Sequence, residues 1–430
     1  MGRNKILAGI DIGTCKITTI LVAINEETGK MQVVGVANEP SKGLRKSQVV
    51  DIEEAVEAVT ESVEAAERMA GYSVSSAFVS ISGAHIQSQN SKGVVAISNP
   101  NEEIIQEDVT RVIEAGRAVS LPSSREILHV IPRDFMVDSQ EGIKDPLGMT
   151  GVRLEVETHI VSGSSTAMRN LAKCVTEIGV DVAGLVFSGL AAAEAVLTDT
   201  ERELGVCLVD IGGGTTSLAV FVEGSLAYSA VLPVGAKNIT NDLAIGLRIS
   251  LETAEKIKIV LSQHSKEALL NKTTQKESGS DEVNLKKLGI DEEFKKTSYK
   301  TLTEGIIRPR LNEIFSLVGE ELKKSGFAAM VPAGIVVSGG GASTVGIIDS
   351  CKRTLSLPVR AGKPQVLTGL VDEIEETAFA VSQGLIVYAT KNINKESRGL
   401  VFPNFNRLVD RLPMKGLANR AVDFVKSFLP

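Results

Sequence analysis

Two short segments of this 430-residue chain carry aspartate, glycine and threonine in the same order. One is AGIDIGTCKITTILV, Ala8 to Val22; the other, about 200 residues later, is VCLVDIGGGTTSLAV, Val206 to Val220. Each reads as an apolar strand ending in Asp, a Gly/Thr turn and a β-rich strand that returns beside the first. Such a turn sets a carboxylate next to backbone N–H groups that glycine leaves unobstructed. A polyphosphate can rest on those amides while the Asp holds its hydrated Mg²⁺. Either segment alone is also an ordinary hairpin. The run Gly212, Gly213, Gly214, however, weakens a strand end unless something approaches the backbone closely, and two facing copies make a clamp.

A third glycine cluster follows the strand-like Ile335 to Val337: Gly339, Gly340 and Gly341, then the start of a helix. No Gly-Lys-Ser/Thr loop competes with these turns, and no stretch matches the dinucleotide fingerprint.

The elements that must position the turns form two related halves. After the first hairpin comes a strand (Met31 to Asn38), a polar loop, and a helix from about Ile52 to Ala70 with Val56, Val59, Val63 and Ala66 at helical spacing. AFVSISG, Ala77 to Gly83, is again a strand. The second half repeats the scheme with a strand at Ser225 to Leu232, helices from about Thr240 and the strand at Ile335. Repetition over such a span indicates duplicated βα domains around a cleft, where the two Asp turns face each other.

Residues 86–161 have no counterpart in the second half. They hold strand-like GVVAIS (Gly93 to Ser98), a helix from about Glu102 to Ala118, REILHVIPRDFMV, and the turn-rich IKDPLGMTG before VRLEVETHIVSG. This stretch is too apolar for a structureless loop and reads as a small inserted α+β domain. A polar region from about His264 to Lys300 reads as a solvated loop with a small helix. The expected division is 1–85 with 162–200 for the first half, 201–239 with 305–390 for the second and 240–304 for its subdomain. Residues 391–413 are expected to form a linker and 414–430 a terminal helix.

Composition bounds the class. A chain of 430 residues calls for two or more domains, and 43% hydrophobic with 23% charged residues is that of a globular protein. A formal charge of −7 argues against broad nucleic-acid binding. Cys15, Cys174, Cys207 and Cys351 lack paired spacing, so free thiols in a reducing compartment are expected. The four histidines are equally scattered and suggest no zinc site. Asp11 interrupts the first apolar run, unlike a signal peptide, and no segment has the roughly 18 apolar residues of a spanning helix. The expected location is the cytoplasmic side.

Two Asp-Gly-Thr turns, a Gly-Gly-Gly turn and helices joining the halves resemble the superfamily of actin, sugar-kinase and heat-shock-chaperone ATPases. Within it the chain resembles the FtsA family of bacterial cell-division proteins along essentially its whole length. The most specific stretches are DPLGMTGVRLEVETHIV, FSGLAAAEAVL, ERELGVCLVDIGGGTT, PVGAKNITNDLA and the C-terminal helix. The resemblance implies an actin-like, ribonuclease-H-like α/β fold around a nucleotide cleft, with ATP and Mg as ligands. It puts Asp11 on a Mg²⁺-bound water, with Gly13, Thr14 and Lys16 in the first phosphate loop. Asp210 with Gly212, Gly213, Gly214, Thr215 and Thr216 forms the second, and Gly339 to Gly341 lie against the adenosine. Glu255 and Lys258 resemble the family's ribose and adenine contacts, on one helix face by their spacing of three. Without the family, a surface helix bearing ions accounts for that pair equally well.

Related ATPases place Glu or Gln in the first connecting helix to position the attacking water. Here Ser188 stands at that position, a far weaker orienting group. The catalytic lysine of the chaperone ATPases sits in a subdomain this chain lacks, and Glu194 reads as a surface or core-edge residue. Mg-ATP binding with slow or conditional hydrolysis is expected, at most a weak ATPase.

In the last 17 residues, MKGLANRAVDFVKSFLP, a helical wheel separates two arcs completely. Met414, Leu417, Ala418, Ala421, Val422, Phe424, Val425, Phe428 and Leu429 occupy one; Lys415, Asn419, Arg420, Asp423, Lys426 and Ser427 occupy the other. At ~1.5 Å per residue the helix is roughly 24 Å long and charged on one face, suited to lie in a membrane interface. Its basic residues suit an anionic leaflet, on the order of 1 kcal/mol per charge. Packing on the protein's own core is the alternative, which the preceding Pro403- and Pro413-containing tract makes less suitable.

The resemblance implies a protein that polymerises with itself on the cytoplasmic membrane face and tethers the tubulin-like protein FtsZ at the division septum. The C-terminal peptide of FtsZ would meet the second-half subdomain, with Arg308 and Arg310 as candidate contacts, and later division proteins would meet the insert. Rival readings are a PilM-like pilus-assembly protein, whose family generally lacks the terminal helix, and a sugar or carboxylate kinase, which has no use for it.

Overall fold

The computed structural model describes residues 4–25, 28–98, 103–263, 283, 298–369 and 372–397. The expected membrane helix and most of residues 264–300 lie outside the described residues.

In the first half, β1 (Asn4–Ile12), β2 (Lys16–Asn25) and β3 (Met31–Pro40) form an antiparallel meander. A two-stranded ribbon follows, β4 (Leu44–Arg45) and β5 (Gln48–Val49). Helix α1 (Ile52–Ala70) then starts where Asp51 accepts from the Glu54 amide, and ends at Gly71 with φ 70°. It buries Ala55, Ala58, Val59, Val63 and Ala66 against the sheet. β6 (Ser76–Ile81) runs parallel to β1.

The inserted domain is β7 (Gln87–Ala96), α2 (Gln106–Arg117), β8 (Arg125–Val137), β9 (Gln140–Ile143) and β10 (Arg153–Ser164). Its sheet has the order β7-β10-β8-β9, all antiparallel. The core is its own, built on Ile104, Val112, Phe135, Leu154 and Val156. The chain returns through α3 (Ser165–Thr176), β11 (Asp181–Phe187), α4 (Ser188–Val196) and α5 (Asp199–Leu204).

The second half opens with β12 (Val206–Ile211), β13 (Thr216–Val222) and β14 (Ser225–Leu232), again an antiparallel meander. α6 (Ala236–Leu247) begins four residues before the position expected from the sequence, and α7 (Leu251–Gln263) follows. A π-helical turn, Thr301–Ile307, runs into α8 (Arg308–Lys324). β15 (Ile335–Ser338) pairs parallel to β12, α9 (Ile347–Leu355) packs on α8 and β16, and β16 (Val359–Ala361) extends the sheet to the order β14-β13-β12-β15-β16.

The end of the described chain departs from the expected division. β17 (Thr368–Gly369) pairs with β3, and α10 (Ala380–Ser397) packs on β1 and α4, so this part belongs to the first half and not the second. Leu367, Ile374, Ile386 and Ala389 share a core with Leu7, Ile20, Val22 and Val33. α10 also continues to Ser397, past Lys391 where the linker was expected to begin. Gly384 permits this crossing: a Cβ there would fall on the Ala191 carbonyl of α4.

Candidate functional site

The two Asp turns have the same local design. Gly13 N donates to Lys16 O at 3.0 Å, and Gly212 N donates to Thr215 O at 2.8 Å. Both aspartates sit one residue before the end of a strand, Asp11 opposite Thr18 and Asp210 opposite Ser217. The turns meet across the cleft: a Cβ on Gly213 would fall on Cys15 Sγ, and one on Gly214 would lie 2.8 Å from Thr14 Oγ1. The glycines therefore leave room where the two halves approach. α6 braces the second turn through Ala236 N to Gly212 O (2.9 Å) and Lys237 N to Gly213 O (2.8 Å). Thr216 lies beneath the turn, its hydroxyl donating to Val234 O at 2.8 Å.

Asp11, Asp210 and Lys16 form one electrostatic cluster at the base. Burial pushes the Asp210 carboxyl up to about 7; the neighbouring Asp11 adds to the rise and Lys16 offsets part of it. Burial also raises Asp11, against the hydrogen bond from Ser80 Oγ at 2.6 Å and the charge of Lys16. Lys16 is lowered by burial and held up by Asp11, Glu376 and Asp210, with its ammonium 4.3 Å from the centre of the Phe379 ring. Asp210 Oδ1 is buried and has no hydrogen-bond partner, a cost that calls for a cation or donor in the cleft.

Gly339, with φ 84°, and Gly341 pack against the end of β12, while Gly340 between them is exposed. A Cβ on Gly339 would lie 2.6 Å from Asp210 Oδ1, so this cluster brings the third turn up to the second carboxylate. Glu255 and Lys258 lie together on α7. Lys258 Nζ contacts Glu255 Oε2 at 2.8 Å, Thr240 Oγ1 at 2.9 Å and Ala236 O at 3.4 Å. Lys258 is only 8% exposed, which removes the surface-charge alternative for it, whereas the Glu255 side chain is partly exposed. Both side chains act electrostatically on Cys15 in the first turn, so α7 borders the cleft.

Ser188 is buried, with its hydroxyl 3.0 Å from Ser217 Oγ, the residue opposite Asp210. Glu194 is nearly buried at the core edge rather than on the surface. Arg202 and Lys391 hold its carboxyl below the usual range despite burial. Arg308 pairs with Glu304 and Asp349. Arg310 grips Asp242 with two nitrogens at 2.5 and 2.9 Å, beside a cleft of about 250 Å³ lined by Asp242, Ile306, Pro309, Arg310 and Glu313.

Sequence reasoning missed Ser80 and Phe379. Ser80 had a legible signal, since its strand AFVSISG was expected beside the first Asp strand. Phe379 had none, as it arrives from the far end of the chain.

Comparison with known proteins places the chain. A model of the SHS2 domain inserted in FtsA matches residues 83–162, and one of the cell division protein FtsA matches residues 207–384. Cell division protein FtsA of Pseudomonas aeruginosa is 38% identical over 397 residues, covering 92% of this chain and 91% of that protein. The Bacillus subtilis protein is 36% identical over 403 residues, covering 94% and 87%. Among solved structures, the PilM-PilN type IV pilus biogenesis complex has a TM-score of 0.60 at 16% identity, covering 92% of this chain and 99% of that chain. MreB 5 of Spiroplasma citri bound to AMPPNP has 0.53 at 15%, covering 92% and 99%. The structural likenesses establish the actin-like fold, the sequence likenesses go further, and together they show that the chain belongs to the FtsA family of cell-division proteins.

Proposed function

We propose that the chain is an ATP-binding, actin-like division protein that polymerises on the cytoplasmic face of the membrane and attaches the FtsZ ring there. The observation that carries the nucleotide reading is the unpartnered, buried Asp210 Oδ1 at the meeting point of two glycine-opened turns. These residues fit a magnesium-bound polyphosphate. Asp11 and Asp210 would hold the hydrated ion, and the turns at Gly13–Lys16 and Gly212–Thr215 would carry the phosphates. A magnesium ion bound there supplies counter-charge to the phosphates and the two carboxylates.

The chain's own residues then act as a latch. Each turn is fixed to its own half, so a ligand gripped by both holds the halves at one spacing. Ser188, tied to Ser217, offers no carboxylate or amide to orient water, which favours binding over rapid hydrolysis. The MreB 5 relative in the actin-like fold was solved with AMPPNP, in keeping with this reading.

Attachment would come from the amphipathic residues 414–430, multiplied along a filament because each added subunit binds at high effective concentration. The FtsZ C-terminal peptide would dock at the cleft by Arg310, with later division proteins on the insert. Charge reversal of Arg308 and Arg310 together should abolish peptide affinity in fluorescence anisotropy; unchanged affinity removes that assignment. Co-sedimentation with anionic vesicles tests attachment: the full chain should pellet and a chain ending at Pro413 should stay in solution. Equal pelleting of both contradicts it.

A further inference from the structure

The polar stretch between β3 and α1 is a hairpin whose tip stands in the cleft. Pairing of Leu44 with Val49 and Arg45 with Gln48 leaves Lys46 and Ser47 as the two turn residues. Both have left-handed backbone, φ 49° and 59°, and neither is glycine. A two-residue hairpin turn of this type requires positive φ at both positions, which side chains other than those of Asn and Asp adopt at a cost.

That strained tip touches both Asp turns. Ser47 N donates to Thr14 Oγ1 at 2.9 Å, and Ser47 Oγ lies 3.3 Å from Thr14 Oγ1 and 3.0 Å from Thr215 Oγ1. A Cβ on Gly214 would lie 3.1 Å from Lys46 Cα. The second turn is used differently along its length. Gly212 and Gly213 give their carbonyls to α6, which carries the Thr240 that binds Glu255 and Lys258, whereas Gly214 and Thr215 meet the hairpin. On the clamp reading, a nucleotide with its base end toward α7 would have Thr215 and the tip at its phosphate end.

We propose that the hairpin tip, Lys46 with Ser47, is the terminal-phosphate contact of the cleft and sets the preference for a nucleoside triphosphate over a diphosphate. This rests on the reading of the two turns as a nucleotide clamp. A terminal phosphate adds negative charge and acceptor oxygens, and the tip offers it an ammonium on a flexible stem and a hydroxyl, Ser47 Oγ, in line with those of Thr14 and Thr215. Lys16 is already engaged by Asp11, Asp210 and Glu376, whereas Lys46 is exposed at the rim. The Thr14–Ser47–Thr215 contacts hold the tip at this position, so the preference is built into the first half and read by the second.

Calorimetric titration of the full chain with Mg-AMPPNP and with Mg-ADP tests this. Lys46→Ala should weaken AMPPNP by about tenfold, as loss of a charge-assisted contact predicts, and ADP by less than about twofold. Lys46→Arg should keep the preference. Ser47→Gly relieves the left-handed backbone while removing the hydroxyl, so it should melt no lower than the wild type yet lose part of the AMPPNP affinity. Equal losses for both nucleotides, or no loss in either variant, overturn the proposal while leaving the clamp intact. A wild-type chain that binds neither nucleotide overturns the clamp and the proposal together.

Discussion

His159 Nε2 lies 3.0 Å from Ser229 Oγ, where the inserted domain meets the second half. Its other ring nitrogen lies 2.7 Å from Asn90 Oδ1, so Nδ1–H donates to Asn90 and Nε2 accepts from the serine. Ser88 and Asn90 of β7 add contacts to Ser229 and Ala227 of β14. Burial holds the imidazole neutral, its pKa brought down to about 3 with Arg133 contributing. Six residues past Ser229, Gly235 leads into the amides that brace the second turn. Insert and cleft are thus joined by one short strand.

Ser229→Ala should leave Nε2 buried without a donor and cost about 1–3 kcal/mol. Urea unfolding followed by circular dichroism would show the lowered midpoint. An unchanged midpoint contradicts the role given to this contact.

Asp210 predicts a pH dependence. Its ordinary value is 3.8 and its folded value about 7, so between these the folded chain holds a proton that the unfolded chain releases. Ligand-free stability therefore falls as pH rises from about 4 to about 7 and stops changing from this source above that. Melting temperatures across this range should show a shallower slope for Asp210→Asn than for the wild type. Mg-ADP affinity of the wild type should decline below pH 7, where the carboxyl takes up the competing proton. A pH-independent affinity between pH 5 and 8 would argue against Asp210 as a metal-side carboxylate.

Gly384 and Gly305 form a contrasting pair. A side chain at Gly384 would strike the Ala191 carbonyl, whereas Gly305 has no neighbour within 4 Å of an added Cβ. Gly384→Ala should cost at least about 3 kcal/mol through overpacking of the α4–α10 crossing. Gly305→Ala should be neutral or stabilising by up to about 1 kcal/mol. Chemical denaturation of both variants checks the ordering.

What the sequence made legible were features with a local cause. Val56, Val59, Val63 and Ala66 mark α1 by periodicity, and the two Asp turns declare themselves by glycine next to strand ends. The hairpin tip is a polar loop by sequence alone, because Lys46 and Ser47 are neither glycine nor asparagine, the residues that mark positive φ. Its partner Thr215 lies 168 residues away. The return of β17 and α10 to the first half was hidden for the same reason: Ile386 gives no sign in its own neighbourhood that it packs with Leu7 and Ile20. Lys258 looked like a surface charge because its buried partners, Thr240 and Ala236 O, belong to another helix.

Electron microscopy of the full chain on anionic lipid monolayers is the most direct test that the nucleotide clamp serves assembly on a membrane. With Mg-ATP the wild type should form lipid-bound filaments, and Asp210→Asn should form none under the same conditions. Filaments of equal abundance in Asp210→Asn, or a wild-type chain that turns over ATP rapidly without assembling, would contradict that claim.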